Sequence, residues 1–307
     1  MARVVVTGGA GFVGSHVAEA FVDRGDDVLV VDDLSTGARE NVPDRAAFAE
    51  VDIADAGALE EALGGGADLV CHLAAQASVT VSVRDPVLDC TANVLGTLNV
   101  CEAARRRGAP VIFASTGGAL YGNEAPRPTP EDFAPLPLSP YGASKLAGEA
   151  YVATWGRLHS TQNVVLRLGN VYGPRQSPHG EAGVVAIFSG RLLSGQAPEL
   201  RGDGTPTRDY VHVDDVARSF VAAAEAARAG TYNVGTGHAT STARLLEILQ
   251  AAAGTTLEPI RTELIAGELA ASVLDPSRIE RELGWRAAID VKTGLGQTLD
   301  WYRRVRR

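Results

Sequence analysis

Residues 3–33 read RVVVTGGAGFVGSHVAEAFVDRGDDVLVVDD, and this stretch decides the fold. Its apolar start predicts a short buried strand. The run from Val17 to Arg24 has helical periodicity and stops at Gly25, and Val28–Val31 predict a second strand. A strand, a glycine turn, a helix and a second strand form one unit of a parallel sheet with helices on both faces. We therefore predict an α/β protein with a doubly wound parallel sheet, the Rossmann arrangement.

The glycine turn itself predicts a dinucleotide site. Gly8 allows a tight turn, Gly11 lets the backbone approach a pyrophosphate, and Gly14 lets the helix pack closely on the sheet. The helix N-terminus then directs its N–H groups at the phosphates. Asp32 can bind a ribose 2′-hydroxyl and repel a 2′-phosphate, so NAD is favoured over NADP. The alternative is a structural glycine turn without a ligand.

Later apolar runs predict further strands of the same sheet. Ala47–Val51 form the third, and the Asp52-Ile53 pair that follows it could flank an adenine. Leu69–Ala75 form the fourth and end in small residues that let a flat ligand approach. His72 lies inside that run, so we interpret it as a satisfied core histidine rather than a catalytic group. Val164–Leu168 form the sixth strand.

A helix from Val94 to Arg107 separates the fourth strand from the fifth, Val111–Ala114. Asn93 precedes this helix and could be its N-cap or could bond strand backbone. Thr116 follows the fifth strand, and a hydroxyl at the carboxyl end of a strand faces the crevice where open sheets bind ligands. Thr116 could thus hydrogen-bond a reacting oxygen; the alternative is β-propensity followed by a turn.

A tyrosine and a lysine four residues apart predict an acid–base pair on one helix. Pro140 suits the first helical turn, and Tyr141 and Lys145 then share one face. A neighbouring ammonium lowers the pKa of a phenol, so Tyr141 could be a general base and acid near neutral pH. The alternative is an ordinary amphipathic helix with Tyr141 half buried and Lys145 solvated.

The alternation of strands and helices breaks down after the sixth strand, which predicts a domain change near Asn170. Residues 1–170 would form the NAD-binding Rossmann domain with the catalytic side chains. Residues 171–307 would form a smaller, mixed α/β substrate domain, some segments of which return to the first. The proline-rich stretch Ala125–Pro137 lies beside the catalytic helix, where a long ordered loop is often functional.

The overall composition limits which binding partners and which cellular compartment we expect. The chain has 307 residues and a formal net charge of −9, which disfavours nucleic acid and anionic membranes as partners. Cys71, Cys90 and Cys101 show no C-x-x-C spacing and indicate a reducing compartment. Met1-Ala2-Arg3 leads directly into a strand, and no apolar run reaches about 18 residues. We expect a cytoplasmic protein with no membrane partner and no metal site.

Together these motifs resemble the extended short-chain dehydrogenase/reductase family, more closely its nucleotide-sugar 4-epimerases. The resemblance runs nearly end to end. It is carried by TGGAGFVGSH from Thr7, HLAAQASV from His72, ASTGGALYG from Ala114, SPYGASK from Ser139, GNVYGPRQSPHGEAGVVAIF from Gly169, GDGTPTRDYVHVDDVA from Gly202, NVGTG from Asn233 and ELGW from Glu282.

The resemblance implies a site and a cofactor. NAD would be held by Gly8, Gly11, Phe12, Val13, Gly14, Asp32, Asp33, Ser35, Thr36, Gly37, Asp52, Ile53, Leu73, Ala74, Ala75, Gln76, Asn93, Tyr141 and Lys145. A UDP-sugar would be held by Ser78, Thr116, Gly117, Gly118, Tyr141, Asn170, Gly183, Val184, Val185, Arg208 and Ser272. Thr116, Tyr141 and Lys145 would be the catalytic residues of a UDP-glucose/UDP-galactose 4-epimerase that passes through a 4-keto sugar. A homodimer, joined by the Tyr141 helix and the Asn93–Arg107 helix, is also implied.

Five positions bear on which reaction and which sugar the resemblance implies. The family's 4,6-dehydratases carry an Asp-Glu pair where Gly117-Gly118 stand, which argues against dehydration. Ser177 replaces an arginine typical of uronate epimerases, so UDP-glucuronate is disfavoured. Ser272 matches a gate position that is bulky in hexose-restricted epimerases, so a UDP-N-acetylhexosamine could be accepted. Ile265 stands where the family has a second diphosphate-binding arginine, a place that Arg261 could take.

Two rivals to an epimerase remain open at this point. The first is a nucleotide-sugar 4-keto reductase, which would consume NADPH, a cofactor that Asp32 disfavours. The second is a catalytically idle NAD-sensing scaffold on the same fold. Such a scaffold would not need Thr116, Tyr141 and Lys145 together.

Overall fold

Strands and helices alternate through the first half of the chain. The computed structural model describes residues 1–178, 183–263 and 269–305. In chain order the strands are β1 (Arg3–Thr7), β2 (Asp27–Asp32), β3 (Ala47–Glu50), β4 (Leu69–His72), β5 (Val111–Thr116), β6 (Val164–Leu168), β7 (Asn170–Tyr172), β8 (Glu199–Arg201), β9 (Thr207–Arg208), β10 (Tyr210–His212), β11 (Gly230–Val234), β12 (Thr240–Ser241), β13 (Ile260–Thr262) and β14 (Ala271–Ser272).

The helices surround these strands. They are α1 (Phe12–Arg24), α2 (Ala56–Ala62), α3 (Val79–Arg84), α4 (Pro86–Cys90), α5 (Gly96–Arg105), α6 (Pro140–His159), α7 (Val184–Leu193), α8 (Val213–Ala226), α9 (Thr242–Ala253), α10 (Ser277–Leu283) and α11 (Val291–Val305). A π-helical segment, Thr91–Leu95, joins α4 to α5. Within the described ranges, none of these helices combines the length and the apolar character that a membrane crossing needs.

A seven-stranded parallel sheet forms the centre of the protein, in the order β3-β2-β1-β4-β5-β6-β11. The chain runs outward from β1 in one direction and then from β4 in the other. The carboxyl ends of β1 and β4 therefore flank the crevice where ligands bind in such sheets. The predicted doubly wound parallel sheet is confirmed.

Side chains alternate between the two faces of this sheet, as strand geometry requires. Val4 and Val30 join the apolar cluster that contains Phe21 of α1 and Phe220 of α8. Val5 faces the other way, into a cluster with residues of α2, α5 and α6. Burying one such side chain fully contributes about 1.5–3 kcal/mol. The continuous valine runs are therefore explained by a sheet that is covered on both faces.

Segments beyond residue 170 contribute to both parts of the molecule. β11 extends the central sheet beside β6, and α8 packs against α1. A separate apolar cluster around Phe188, Leu245 and Leu295 holds α7, α9 and α11 together. The division of the chain at residue 170 stays a prediction.

Two local predictions differ from the structure. The fourth strand ends at His72 and not at Ala75, because the residues that follow cross the carboxyl end of β1 beside Gly8. Asn93 is not an N-cap, so the first of its two interpretations was wrong, whereas a bond to backbone near β4 is present. Asn93 lies within the π segment of a helical path that begins at Pro86, and its side chain bonds the backbone of Gln76 instead.

The proline-rich loop before α6 is fastened to the strand β14 region. Thr129 is buried; its N–H donates to the Val273 carbonyl (2.8 Å), and its own carbonyl accepts from the Asp275 N–H (2.9 Å). Arg127 Nε donates to the Ala271 carbonyl (3.1 Å). The loop thus connects the end of β5 with the C-terminal part of the chain.

Candidate active site

The glycine turn between β1 and α1 has little room for side chains. Gly8 has a φ of +71°, and a Cβ there would lie 2.5 Å from the Ala74 nitrogen. A Cβ on Gly14 would overlap the Gly8 carbonyl oxygen. By contrast, a Cβ on Gly11 would meet only the Gly8 carbonyl oxygen, at 3.2 Å, within 4 Å. The side of the turn at Gly11, where Phe12 and Val13 open α1, is therefore open to a ligand.

Asp32 lies at the carboxyl end of β2, beside this turn. Its two oxygens accept from the N–H groups of Ala10 (3.0 Å) and Leu34 (2.9 Å). Burial raises the pKa of Asp32, and the hydrogen bonds from Leu34 and Ala10 oppose that effect. The Gly11 N–H adds a third hydrogen bond to this carboxylate. A carboxylate has about four acceptor positions, so about one remains for a ribose hydroxyl.

The loop after Asp32 contains four more of the predicted cofactor residues. The Asp33 carboxylate accepts from both the N–H and the hydroxyl of Ser35, at 2.9 and 2.6 Å. Thr36 is exposed, and a Cβ on Gly37 would lie 2.8 Å from Asp32 Oδ1. Gly37 therefore lets this loop lie directly against the Asp32 carboxylate.

The predicted adenine-flanking pair follows β3. The Asp52 side chain is exposed and accepts from the Ala54 N–H (2.8 Å). Ile53 is buried, and a Cβ on Gly96 would lie 2.6 Å from Ile53 Cδ1. Ile53 is therefore fixed against α5.

The segment Leu73–Gln76 passes along the glycine turn. The Leu73 N–H donates to the Thr7 carbonyl (3.0 Å), and the Ala74 N–H to the Thr7 hydroxyl (3.3 Å). Beyond Ala75, the Gln76 N–H donates to Asn93 Oδ1 (2.8 Å). These bonds hold the segment at the carboxyl edge of β1 and β4.

Ser78 continues this arrangement. Its N–H donates to Gln76 Oε1 (2.6 Å), and its hydroxyl accepts from the Val81 N–H (2.9 Å), which caps α3. The bonds of Gln76 therefore bring Ser78 and Asn93, a predicted substrate and a predicted cofactor residue, to one place.

His72 is a structural residue, as its apolar neighbours predicted. Its side chain is fully buried between the hydroxyls of Thr7 (2.8 Å) and Thr97 (2.9 Å). The Thr97 hydroxyl donates to the Asn93 carbonyl, so it accepts from His72 Nε2–H, and Nδ1 accepts from Thr7. Burial, together with the charge of Lys145, lowers the pKa of His72 to about 3. The imidazole is neutral and satisfied.

Thr116, Tyr141 and Lys145 converge at the carboxyl end of β5. Ser139 caps α6 by accepting from the Gly142 N–H (3.2 Å), and Pro140 occupies its first turn. The Thr116 side chain hydrogen-bonds Tyr141. Lys145 is buried and donates to the Ala114 carbonyl (3.0 Å), with its ammonium 4.9 Å from the centre of the Phe113 ring.

Burial dominates the pKa of Tyr141 in this structure, and a lowering by Lys145 together with the nicotinamide charge stays a prediction. Burial raises the pKa of Tyr141 to about 12, and the bond from Thr116 only partly opposes that effect. Lys145 directs its ammonium at the β5 backbone, and burial lowers the pKa of Lys145 to about 8. Sharing one helix face therefore does not by itself make the phenol acidic.

Asn170, Gly117 and Gly118 lie around Thr116. A Cβ on Gly118 would lie 3.4 Å from Asn170 Oδ1 and 3.9 Å from Thr116 Oγ1. A Cβ on Gly117 would lie 2.5 Å from a Leu274 methyl group. A carboxylate side chain at Gly117 would therefore displace Leu274, which agrees with the argument against dehydration.

Ser272 and Arg208 are neighbours on adjacent strands. They are register partners in the β14–β9 pair, and Arg208 Nη1 donates to the Thr207 carbonyl (2.9 Å). Ser272 also lines a small pocket with Gly117 and Gly118. The pocket thus connects the β14–β9 pair with the end of β5, where Thr116 lies.

The remaining predicted substrate residues begin α7. Gly183 is its N-cap residue, and a Cβ there would lie 2.7 Å from Gln176 Nε2. Val184 is partly buried, whereas the Val185 side chain belongs to the apolar cluster under α7. Val185 could therefore meet a substrate only through its backbone.

Two parts of the sequence argument fall outside the described ranges. Ile265–Glu268, where the second arginine is missing, is one, and residues 179–182 of the Gly169 motif are the other. Arg261, the suggested substitute, is exposed on β13 and donates to the Gly202 carbonyl (3.1 Å). Its contact with a diphosphate stays a prediction.

A buried ion pair behind the site was missed from sequence. Arg167 of β6 and Glu149 of α6 are both 7% exposed, with Nη2 and Oε2 2.7 Å apart. Glu149 also accepts from the Ser115 hydroxyl (2.5 Å), and Arg167 donates to the Tyr121 hydroxyl (2.7 Å). Glu149 follows Lys145 by the same four residues that separate Lys145 from Tyr141, which was the available signal.

Comparison with known proteins identifies the family. The model of the NAD dependent epimerase/dehydratase family matches residues 4–235. UDP-glucose 4-epimerase from Mycolicibacterium smegmatis is 42% identical over 98% of each chain. The crystal structure of Thermotoga maritima UDP-glucose 4-epimerase with UDP-glucose has a TM-score of 0.96 and 41% identity, covering 99% of this chain and 100% of that one. The Thermus thermophilus UDP-glucose 4-epimerase complex with NAD has a TM-score of 0.90 and 46% identity, covering 98% and 99%. The chain belongs to the NAD dependent epimerase/dehydratase family.

Proposed function

We propose that this protein is an NAD-dependent UDP-hexose 4-epimerase, an isomerase whose simplest substrate pair is UDP-glucose and UDP-galactose. The observation that carries the proposal is the convergence of Thr116, Tyr141 and Lys145 at the carboxyl end of β5. UDP-glucose 4-epimerases that match over nearly the full length support the same reaction.

The residues around the crevice fit NAD. The turn is open at Gly11, Asp32 retains about one acceptor position for a ribose hydroxyl, and the loop to Gly37 lies against Asp32. Gly8 and Gly14 shape the turn, Asp52 and Ile53 would flank the adenine, and Leu73–Gln76 with Asn93 would line the other side. When bound, NAD supplies a reversible hydride acceptor and a positive charge.

The three catalytic residues divide the acid–base work. Tyr141 takes the proton of the sugar 4-hydroxyl when the 4-keto sugar forms, and returns it when the ring has turned over. Thr116 hydrogen-bonds the same oxygen and orients the phenol. Lys145 supplies a buried positive charge on the Tyr141 face of α6 and would bind the nicotinamide ribose. A phenol with a pKa of about 12 needs additional positive charge before it can act as a base near neutral pH.

The nucleotide sugar would lie on the C-terminal side of these residues. Asn170 is close to Gly118 and Thr116, so its amide can hold the sugar near the reacting oxygen. Arg208 suits a diphosphate because a guanidinium fork matches phosphate oxygens. Gly117, Gly118 and Ser272 would border the sugar ring. Ser78 and residues 183–185 complete the proposed substrate contacts.

Ser272 favours a second substrate class. It is small, lines the pocket beside Gly117 and Gly118, and is adjacent to Arg208 on the next strand. This leaves room for an N-acetyl group, so a UDP-N-acetylhexosamine is the second candidate. UDP-glucuronate remains disfavoured because Ser177 supplies no cation for a carboxylate.

A 4-keto reductase and an NAD-sensing scaffold would each need a site different from the one in this structure. A 4-keto reductase would need NADPH, whose 2′-phosphate would meet the buried carboxylate of Asp32. A scaffold would gain nothing from a buried lysine beside a threonine–tyrosine pair. The assembled site therefore favours an epimerase over both.

We also propose that the protein is a cytoplasmic homodimer. Exposed apolar side chains cluster on the α3–α5 path and on α6, including Val83 (65% exposed), Val87 (73%) and Leu158 (66%). Pairing these faces would form the four-helix bundle that the resemblance implies, and light scattering would measure its mass. Free thiols at Cys71, Cys90 and Cys101 fit a reducing compartment.

Proton NMR of the purified protein with UDP-glucose, without added NAD, tests the function. We expect the anomeric signal of UDP-galactose to grow until an equilibrium mixture is reached. Tyr141→Phe should lower the rate by at least about a hundredfold while leaving NAD bound, because acid–base catalysis contributes about that much or more. No conversion of UDP-glucose or UDP-N-acetylglucosamine by the wild type would contradict the proposal.

A further inference from the structure

A buried carboxylate outside the catalytic trio lies next to the cofactor residues. Asp89 of α4 is 1% exposed. Its Oδ1 accepts from Gln76 Nε2 (2.8 Å) and from Asn93 Nδ2 (3.1 Å). Its Oδ2 is buried and has no hydrogen-bond partner within the described ranges. A buried, incompletely bonded carboxylate is costly, which calls for a compensating charge nearby.

The partners of Asp89 connect it to the catalytic helix. Asn93 Nδ2 also donates to the Gln76 carbonyl (2.9 Å) and to the Ser144 hydroxyl (3.1 Å). Ser144 immediately precedes Lys145 on α6. Asp89 thus fixes Asn93, which bonds the loop after β4 on one side and α6 on the other. The π turn that contains Asn93 is a feature often found at functional sites.

Lys145 is the buried cation on which Asp89 acts. The groups that act on its ammonium are the Ala114 carbonyl and Phe113 ring of β5, the neutral His72 of β4, Glu149 of α6 and Asp89 of α4. Glu149 is already paired with Arg167. Burial lowers the pKa of Lys145, and Asp89 and then Glu149 oppose that effect. Two carboxylates therefore act on Lys145, and Asp89 is the one that is not paired with an arginine in the described ranges.

We propose that Asp89 is a positioning residue that holds the Gln76–Asn93 segment against α6 and keeps the Lys145 ammonium charged. The importance of that charge rests on the proposed function. The charge state itself does not, because it can be measured without turnover.

The sequence offers a direct measurement. Only two of its 28 basic residues are lysines, Lys145 and Lys292, and Lys292 is exposed at the start of α11. Protein as purified, labelled with ¹³C at the lysine ε-carbon, should give two titrating signals. Lys292→Arg assigns them by removing one.

Asp89→Asn is the informative variant because it keeps the Oδ1 acceptor for Gln76 and Asn93 and replaces the unbonded Oδ2 by a neutral amide NH2 group. We expect the Lys145 titration midpoint to fall by about one pH unit. Because Asp89 also raises the pKa of Tyr141, both limbs of the pH profile of kcat/KM should move to lower pH. The exposed Glu61→Gln is the matched control and should move neither.

An unchanged Lys145 midpoint in Asp89→Asn would overturn the inference, even if the enzyme loses activity. If that variant does not fold, Asp89→Ser offers a smaller neutral acceptor and should lower the Lys145 midpoint in the same way. A wild-type midpoint at about 8 or higher is expected. A value below 7 would mean that Asp89 does not keep Lys145 charged. Failure of the epimerase assay with a normal Lys145 titration would instead count only against the proposed function.

Discussion

Replacing Arg167 with methionine should destabilise the protein by about 3 kcal/mol, the low end for breaking a buried ion pair. Arg167 loses two bonds to Glu149 from Nε (3.0 and 3.2 Å), one from Nη2 (2.7 Å), and two from Nη1 to Tyr121 and the Glu131 carbonyl (2.7 and 3.1 Å). Glu149 would keep the Ser115 hydroxyl and the nearby Lys145 charge, and it can also take up a proton.

The reverse replacement, Glu149→Met, should cost more, about 4–5 kcal/mol. The guanidinium of Arg167 would then retain only neutral acceptors, Tyr121 and the Glu131 carbonyl, and it cannot lose its proton. The double variant, with two apolar side chains, should recover at least about 2 kcal/mol relative to the sum of the single variants. The geometry therefore predicts that Glu149→Met destabilises the protein more than Arg167→Met does.

Guanidinium denaturation followed by circular dichroism would measure these differences. Arg45→Met is the matched control, because Arg45 and Asp23 also lie 2.7 Å apart but are 67% and 68% exposed. An exposed pair contributes less than about 1 kcal/mol. Single variants of the buried pair that cost no more than this control, or that add without coupling, would refute the reasoning.

Three further predictions concern the cofactor, the pH and the substrate. Gly14→Ala should purify without NAD, because its Cβ would overlap the Gly8 carbonyl; retained NAD in an acid extract would argue otherwise. Burial lowers the pKa of His72 from 6.5 to about 3. Between pH 6.5 and about pH 3, His72 is therefore protonated in the unfolded chain and neutral in the folded protein. The free energy of unfolding should therefore fall with decreasing pH by up to about 1.4 kcal/mol per pH unit, and less in His72→Gln. Ser272→Tyr should reduce kcat/KM for UDP-N-acetylglucosamine at least about tenfold more than for UDP-glucose; equal effects would exclude Ser272 as a gate.

Much of the cofactor side could be predicted from the sequence because it depends on local geometry. The turn from Gly8 to Gly14 and the acid at Asp32 are set by backbone conformations and close approaches within about 30 residues of chain. The sheet around them follows from apolar runs that must be buried on both faces. Asn93 shows where prediction from the sequence stops. Its neighbours along the chain suggest a helix cap, whereas its side chain bonds Gln76, Asp89 and Ser144, which lie in other elements.

The sequence by itself determined the parallel sheet, the glycine turn and the shared helix face of Tyr141 and Lys145, because each follows from residue patterns within short segments of chain. Only the tertiary structure decided the charge environment of that face. Burial raises the pKa of Tyr141 and lowers that of Lys145, and both effects depend on elements distant in sequence. Asp89 approaches from α4, and Glu149 is balanced by Arg167 from β6. Electrostatic interactions act through space at a few ångströms and vary with burial, so they arise only when the chain has folded.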